Sequence, residues 1–230
     1  MLPWLIAIPI AYLAGSIPFG VLIARAKGVD ITKHGSKNTG ATNVGRVLGF
    51  RFFLLCFLLD MLKGLAPTLL AGLSAGVLGQ REIAASDAWL WLAVMASAVL
   101  GHMFSPFLKF KGGKGVATGL GALLGVFPIL TLAAAAAAIV WGLTFALWRY
   151  VSLASIAAAI ALPIVVTLAL WDQLTGDAPL RALPFLSVTL LLAALVVFRH
   201  RANVGRLLRG EEHRIGAPRP APDNDASPRA

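Results

Sequence analysis

The chain has 230 residues, of which 58% are hydrophobic and only 13% charged, and it carries a net charge of +10 with a single cysteine. A soluble domain has about a quarter charged residues, so this chain is built for lipid, and the lone Cys56 excludes both a disulfide framework and a cysteine metal site. The basic residues fall in loops between apolar blocks, as the positive-inside rule requires, and none of these loops interleaves cations with aromatics; nucleic acid is therefore excluded as a partner.

Apolar blocks follow one another at about 2–24, 50–74, 88–106 and 151–171, with a shorter one at about 184–199. They approach the ~20 residues that a helix needs to cross a bilayer and lack the alternation of barrel strands, which predicts an all-α polytopic membrane protein. The first block has no positively charged n-region, and its end, Gly15-Ser16-Ile17-Pro18-Phe19-Gly20, stays within an apolar run. It reads as a retained span rather than a signal peptide. Asp60 and Lys63, three apart on the second block, share a helix face as a neutralising pair.

The apolar stretch from Val116 to Trp148 is too long for one crossing and long enough for two short ones. Parity decides between them. The loop from Arg25 to Arg51, the loop from Lys109 to Lys114 and the tail from Arg199 onward are all strongly basic and belong on the cytoplasmic side. Two crossings within 116–148 satisfy this and leave only Arg81 and Arg181 on the outer side. The prediction is seven transmembrane helices over residues 1–215, N-terminus outside and C-terminus cytoplasmic, followed by a disordered tail over 216–230. Small residues such as Ala133–Ala138 read as helix-packing positions.

Chemistry concentrates in three segments. The first loop reads His34-Gly35-Ser36-Lys37-Asn38-Thr39-Gly40-Ala41-Thr42-Asn43-Val44-Gly45-Arg46, with hydroxyls, amides and cations set between glycines that can turn backbone N–H groups inward, as in anion-binding nests. The second contains Lys111-Gly112-Gly113-Lys114-Gly115-Val116. It lacks Walker A spacing, but a helix starting near Val116 puts free N–H groups and a positive dipole end beside two lysines. In the third, Arg199 to Glu212, helical spacing puts His200, Asn203 and Arg206 on one face, an arrangement that simple headgroup anchoring does not need. The sequence has no His-Glu-x-x-His and no carboxylate cluster for a metal.

These segments, together with Gly15-Ser16-Ile17-Pro18, Gly101-His102 and Arg149-Tyr150-Val151-Ser152-Leu153-Ala154-Ser155, resemble the bacterial membrane glycerol-3-phosphate acyltransferase family that uses acyl phosphate as donor. The resemblance implies a seven-helix inner-membrane enzyme with its active site on the cytoplasmic side. It would move a fatty acyl group from acyl phosphate to the sn-1 hydroxyl of glycerol 3-phosphate, giving lysophosphatidic acid and phosphate. It implies no cofactor, nucleotide or acyl-CoA.

On this reading Ser36 and His200 are the catalytic candidates. Asn38, Thr42, Asn43, Arg46, Lys111, Gly112, Gly113, Lys114, Asn203, Arg206 and Glu212 are expected to bind the two substrates. An acyl phosphate is already activated, so the protein must chiefly hold two phosphates together and stabilise an oxyanion. His200 and a substrate phosphate are alternative proton acceptors, the phosphate being favoured because cations near His200 would lower its pKa. A transporter of a phosphorylated solute is the main alternative. It would call for polar groups at the midplane and two similar halves, neither of which the sequence displays.

Overall fold

A computed structural model of the protein describes residues 1–176 and 179–216, and every element in it is helical. The first apolar block forms α1 (Leu2–Ser16) and α2 (Phe19–Arg25), which together span one 24-residue unit. The expected continuous helix is broken at Ile17-Pro18 because Pro18 has no N–H to give the ladder. The freed carbonyls find side-chain donors instead: Ser105 Oγ reaches Ser16 O at 2.6 Å and Lys63 Nζ reaches Ile17 O at 2.7 Å.

A short amphipathic helix, α3 (Ala41–Leu48), precedes α4 (Phe50–Ser74) and α5 (Ala85–Met103). The stretch from Val116 to Trp148 resolves into α6 (Val116–Gly125) and α7 (Thr131–Trp148). The chain then continues through α8 (Val151–Ala169), the single turn α9 (Trp171–Thr175), α10 (Pro179–Arg199) and α11 (Arg201–Leu208). Among the described residues six helical units are long and apolar enough to cross a membrane, and α6 is a seventh, shorter apolar helix. At 1.5 Å per residue α6 is only about 15 Å long. Its far end is tied to the α4–α5 connection, where Gly79 N–H donates to Phe127 O at 3.1 Å. The expected disordered tail over 216–230 lies outside the described residues except for Gly216, which forms part of a turn.

Close approach comes from glycines more than from the alanine run. Gly64 and Gly121 bring α4 and α6 together so tightly that a Cβ would lie 2.2 Å from Thr118 O or 1.9 Å from Met61 O. In lipid, where apolar burial gives little drive, such packing is what holds helices together. The buried centre is lined by Trp91, Leu92, Met95, Val99 and Leu130, and Trp91 Nε1 is satisfied by Thr68 O at 2.8 Å. The loops collect at two ends. One carries the Arg181–Glu82 ion pair and the Trp4–Asp87 hydrogen bond; the other gathers all three motif-bearing segments.

Candidate active site

The second motif supplies the centre of the site. After α5 the chain makes a 3-10 turn at Pro106–Leu108 and runs back, with Gly112 N–H donating to Met103 O and Gly113 N–H to His102 O, each at 3.1 Å. Gly115, at φ +82°, then turns the chain into α6, a conformation that side-chain-bearing residues rarely adopt. The N–H groups of Val116, Ala117 and Thr118 lead into that helix without carbonyls of a preceding turn to bond. Arg199, at the end of α10, clamps the loop from the other side: its Nη2 donates to both Gly112 O and Gly113 O at 2.7 Å.

Lys114 projects from this loop to Asn203 Oδ1 on α11. Asn203 Nδ2 in turn donates to Glu212 Oε1 at 2.7 Å, and Arg206 Nε to Glu212 Oε2 at 2.7 Å. Ser152 Oγ at the start of α8 gives Glu212 Oε1 a further bond at 2.7 Å. Ile215 N–H donates to Arg149 O, so the segment after α11 is stitched to the α7–α8 corner. Arg46 completes the cluster, close enough for its guanidinium to feel Glu212 and Arg206, and its buried Nε has no hydrogen-bond partner among the described residues.

Several cations therefore surround one carboxylate. Burial lowers Lys114 to about 8, with Arg206, Arg199 and Arg46 pushing the same way and Glu212 opposing. His200 is lowered to about 4, by burial first and then by Lys114 and Arg199, against the pull of Val196 O and Glu212. It is neutral at pH 7. Its Nδ1 lies 2.8 Å from Val196 O, an acceptor only, so Nδ1 carries the proton and Nε2 keeps its lone pair. Burial works to raise Glu212, but the hydrogen bonds from Asn203, Ser152 and Arg206 prevail and hold it below the ordinary carboxylate value.

The first loop is organised by one side chain. Asn43, only 1% exposed, donates through Nδ2 to Asn38 O (2.9 Å), His34 O (3.0 Å) and Ile31 O (3.3 Å), and its Oδ1 accepts from Ser36 N–H at 2.8 Å. Asn38 Oδ1 accepts from Gly40 N–H at 2.9 Å. Asn43 commits both ends of its amide to holding the loop and Asn38 commits its Oδ1, while both oxygens of Glu212 accept from protein donors. Ser36 stands exposed with its hydroxyl uncommitted, and Thr42 sits half-buried in the first turn of α3. Lys111 is exposed and makes no ion pair among the described residues, so the structure joins Lys114 to the cluster but not Lys111.

His200, Asn203 and Arg206 were expected on one continuous helix face. In the structure α10 ends at Arg199 and His200 caps α11, while Asn203 and Arg206 do meet on Glu212. Arg199 and Ser152 join this cluster without having been singled out as site candidates from the sequence. Arg199 was visible only as one more cation beside a span, and Ser152 only as part of a resemblance.

The bundle and this edge-located cationic cluster define the class: a helical integral membrane protein with a cationic polar site at one end. A family model described as glycerol-3-phosphate acyltransferase matches residues 5–210. The chain is 45% identical over 217 residues to a glycerol-3-phosphate acyltransferase of Geobacter sulfurreducens, covering 94% of this chain and all of that one. The corresponding protein of Aquifex aeolicus is 44% identical over 89% of this chain and 95% of its own length. A crystal structure of PlsY (YgiH), an integral membrane glycerol 3-phosphate acyltransferase in its glycerol 3-phosphate form, superposes with a TM-score of 0.79 at 42% identity, over 93% of this chain and 96% of that one. Its lysophosphatidic acid form gives 0.77 at the same identity, over 93% of this chain and 95% of that one. The chain belongs to the glycerol-3-phosphate acyltransferase family and is an enzyme.

Proposed function

We propose that the protein transfers a fatty acyl group from acyl phosphate to the sn-1 hydroxyl of glycerol 3-phosphate, at the cytoplasmic edge of a seven-crossing bundle in the bacterial inner membrane. The observation that carries this reading is the surplus of positive charge around Glu212. Arg46, Arg206 and Lys114 crowd one carboxylate that is already hydrogen-bonded, and this suits two phosphate groups brought side by side.

In the proposed reaction the glycerol hydroxyl oxygen attacks the acyl carbon, an ester C–O bond forms, and the bond from that carbon to the bridging phosphate oxygen breaks. Lys114 and the free N–H groups at the start of α6 receive the charge that moves onto the departing phosphate. Arg46 and Arg206 hold the phosphate of glycerol 3-phosphate. His200, neutral with Nε2 open, accepts a hydrogen bond from the attacking hydroxyl and orients it. A group held near 4 keeps a proton poorly, so the proton passes to the leaving phosphate, whose second ionisation lies at about 6 in phosphoserine. Ser36 lines the approach with an exposed hydroxyl.

Asn38, Asn43 and Glu212 act by holding these groups in place. Concentration of the polar groups at one edge is what argues against a transporter, which needs its site near the midplane. Phosphate release from palmitoyl phosphate by purified protein tests the assignment. Release is expected to require glycerol 3-phosphate and to fall away in Ser36→Ala and His200→Ala; transfer from palmitoyl-CoA but not palmitoyl phosphate would overturn the choice of donor. Impermeant thiol reagents should label Arg81→Cys from outside intact cells and Lys33→Cys only after lysis.

A further inference from the structure

Beneath the phosphate loop lies a second polar cluster that the chemistry above leaves unused. Asp60 and Lys63 of α4 and His102 of α5 are all buried, at 2%, 6% and 8% exposure. A buried ion pair is a weak source of stability, and an ionisable residue inside a membrane span raises a functional question by default. Lys63 Nζ stands 2.7 Å from Asp60 Oδ1 while donating to Ile17 O. His102 Nδ1 approaches the same Asp60 oxygen at 3.8 Å, and that oxygen has no aligned hydrogen-bond donor.

The other edge of the His102 ring meets the loop. A Cβ built on Gly113 would lie 2.2 Å from His102 Nε2 and 2.7 Å from Cε1, and the three atoms it would meet most closely all belong to this ring. Gly113 N–H also donates to His102 O, while Arg199 grips Gly112 O and Gly113 O from the opposite side. The glycine backbone is thus held between an imidazole and a guanidinium, and the next residue is Lys114.

We propose that Asp60, Lys63 and His102 are positioning residues for acyl transfer: the buried ion pair fixes the His102 ring, and the ring sets the Gly112–Gly113 backbone that aims Lys114 at the leaving phosphate. The catalytic half of this rests on the acyl-transfer reading; the structural half does not. Misplacing a reacting group by about 1 Å can cost about 100-fold in rate. His102→Ala and Gly113→Ala should therefore each lower kcat by about that factor without moving the thermal midpoint by more than a few degrees. The first removes the support, and the second drives a methyl group into it.

Combined, the two substitutions should recover about tenfold over either alone, because the new methyl fills part of the space the ring vacates. Amide exchange over 110–116, read by mass spectrometry, should quicken in His102→Ala and slow again in the double variant. Asp60→Asn/Lys63→Gln removes both charges together and avoids stranding one of them. It should loosen the same amides, and it decides the matter if His102→Ala does not fold. Losses that simply multiply in the double variant, or wild-type exchange and kcat in His102→Ala, would overturn the proposal. A wild-type protein with no acyl transfer would instead overturn the functional reading, while amide exchange would still judge the tie.

Discussion

Raising the pH through the range where Lys114 loses its proton should switch off capture of the substrates before it affects turnover. Lys114 is lowered to about 8, by burial and then by Arg206, Arg199 and Arg46. Because kcat/KM reports the free enzyme, it should fall tenfold per unit above that value, reaching about one-tenth of its plateau near pH 9. A bound phosphate reverses the balance. Opposite charges about 4 Å apart at an effective dielectric constant of 20 attract by about 4 kcal/mol, and 1.36 kcal/mol is one pKa unit, so binding can raise Lys114 by up to about 3 units. The alkaline limb of kcat should then leave the accessible range while that of kcat/KM remains. Initial rates of phosphate release between pH 6 and 10, corrected for spontaneous hydrolysis, give both profiles. Lys114→Arg keeps its charge throughout and should lose the limb, at a lower plateau because a planar fork replaces a point charge. A limb near pH 8 that persists in Lys114→Arg, or that stands at one pH in both profiles, would refute this account of Lys114.

The remaining predictions concern the frame around the site. Glu212→Ala strips Ser152, Asn203 and Arg206 of their shared acceptor and should cost about 1–3 kcal/mol, read as a lower thermal midpoint in detergent. Because the folded-state Glu212 lies below its ordinary 4.5, its contribution is complete above that pH and is lost as the pH falls through the depressed value; Glu212→Gln should remove this acid sensitivity. Asn43→Ala should unfasten the first loop and quicken proteolysis at Lys33 and Lys37, and Asn43→Asp should do nearly as much harm, since it keeps the acceptor for Ser36 N–H and loses the donors to three carbonyls. Gly64→Ala brings a methyl group to 2.2 Å from Thr118 O and should destabilise the α4–α6 contact by about 1–3 kcal/mol, with fluorescence-monitored unfolding as the check.

The contrast between Lys114 and Asn43 shows where sequence reading reaches and where it stops. The placement of Lys114 is legible because a glycine run before a helix has one geometric consequence, exposed N–H groups beside a cation, and the structure supplies that helix from Val116. Asn43 looked equally functional, but its partners are carbonyls of Ile31, His34 and Asn38, and a carbonyl leaves no trace in residue identity. The same holds for Arg199, whose acceptors are two glycine carbonyls. The α10–α11 break at His200 carries neither Pro nor Gly, so periodicity ran straight through it. At Ile17-Pro18 the signal for the break is present in Pro18, which interrupts the helix inside what remains one apolar span of 24 residues.

The site is held together chiefly by contacts other than charge pairing, and that bears on how it can work. Arg199 is spent on two backbone carbonyls, Lys114 on an amide oxygen, and the buried Nε of Arg46 on nothing among the described residues; of the four cations only Arg206 bonds a carboxylate. Burial is the larger cause of the lowered Lys114, and the repulsion among cations left so underpaired adds to it. Their positions are held by helix ends, by the Glu212 bonds and by the loop returning onto α5. On the proposed reading a phosphate dianion would relieve the repulsion, and donors already in place are the condition under which fixed dipoles and cations stabilise a transition state most effectively. On the same reading, a site at the bundle's edge would let a phosphate group meet these cations from water while an attached acyl chain stays in lipid.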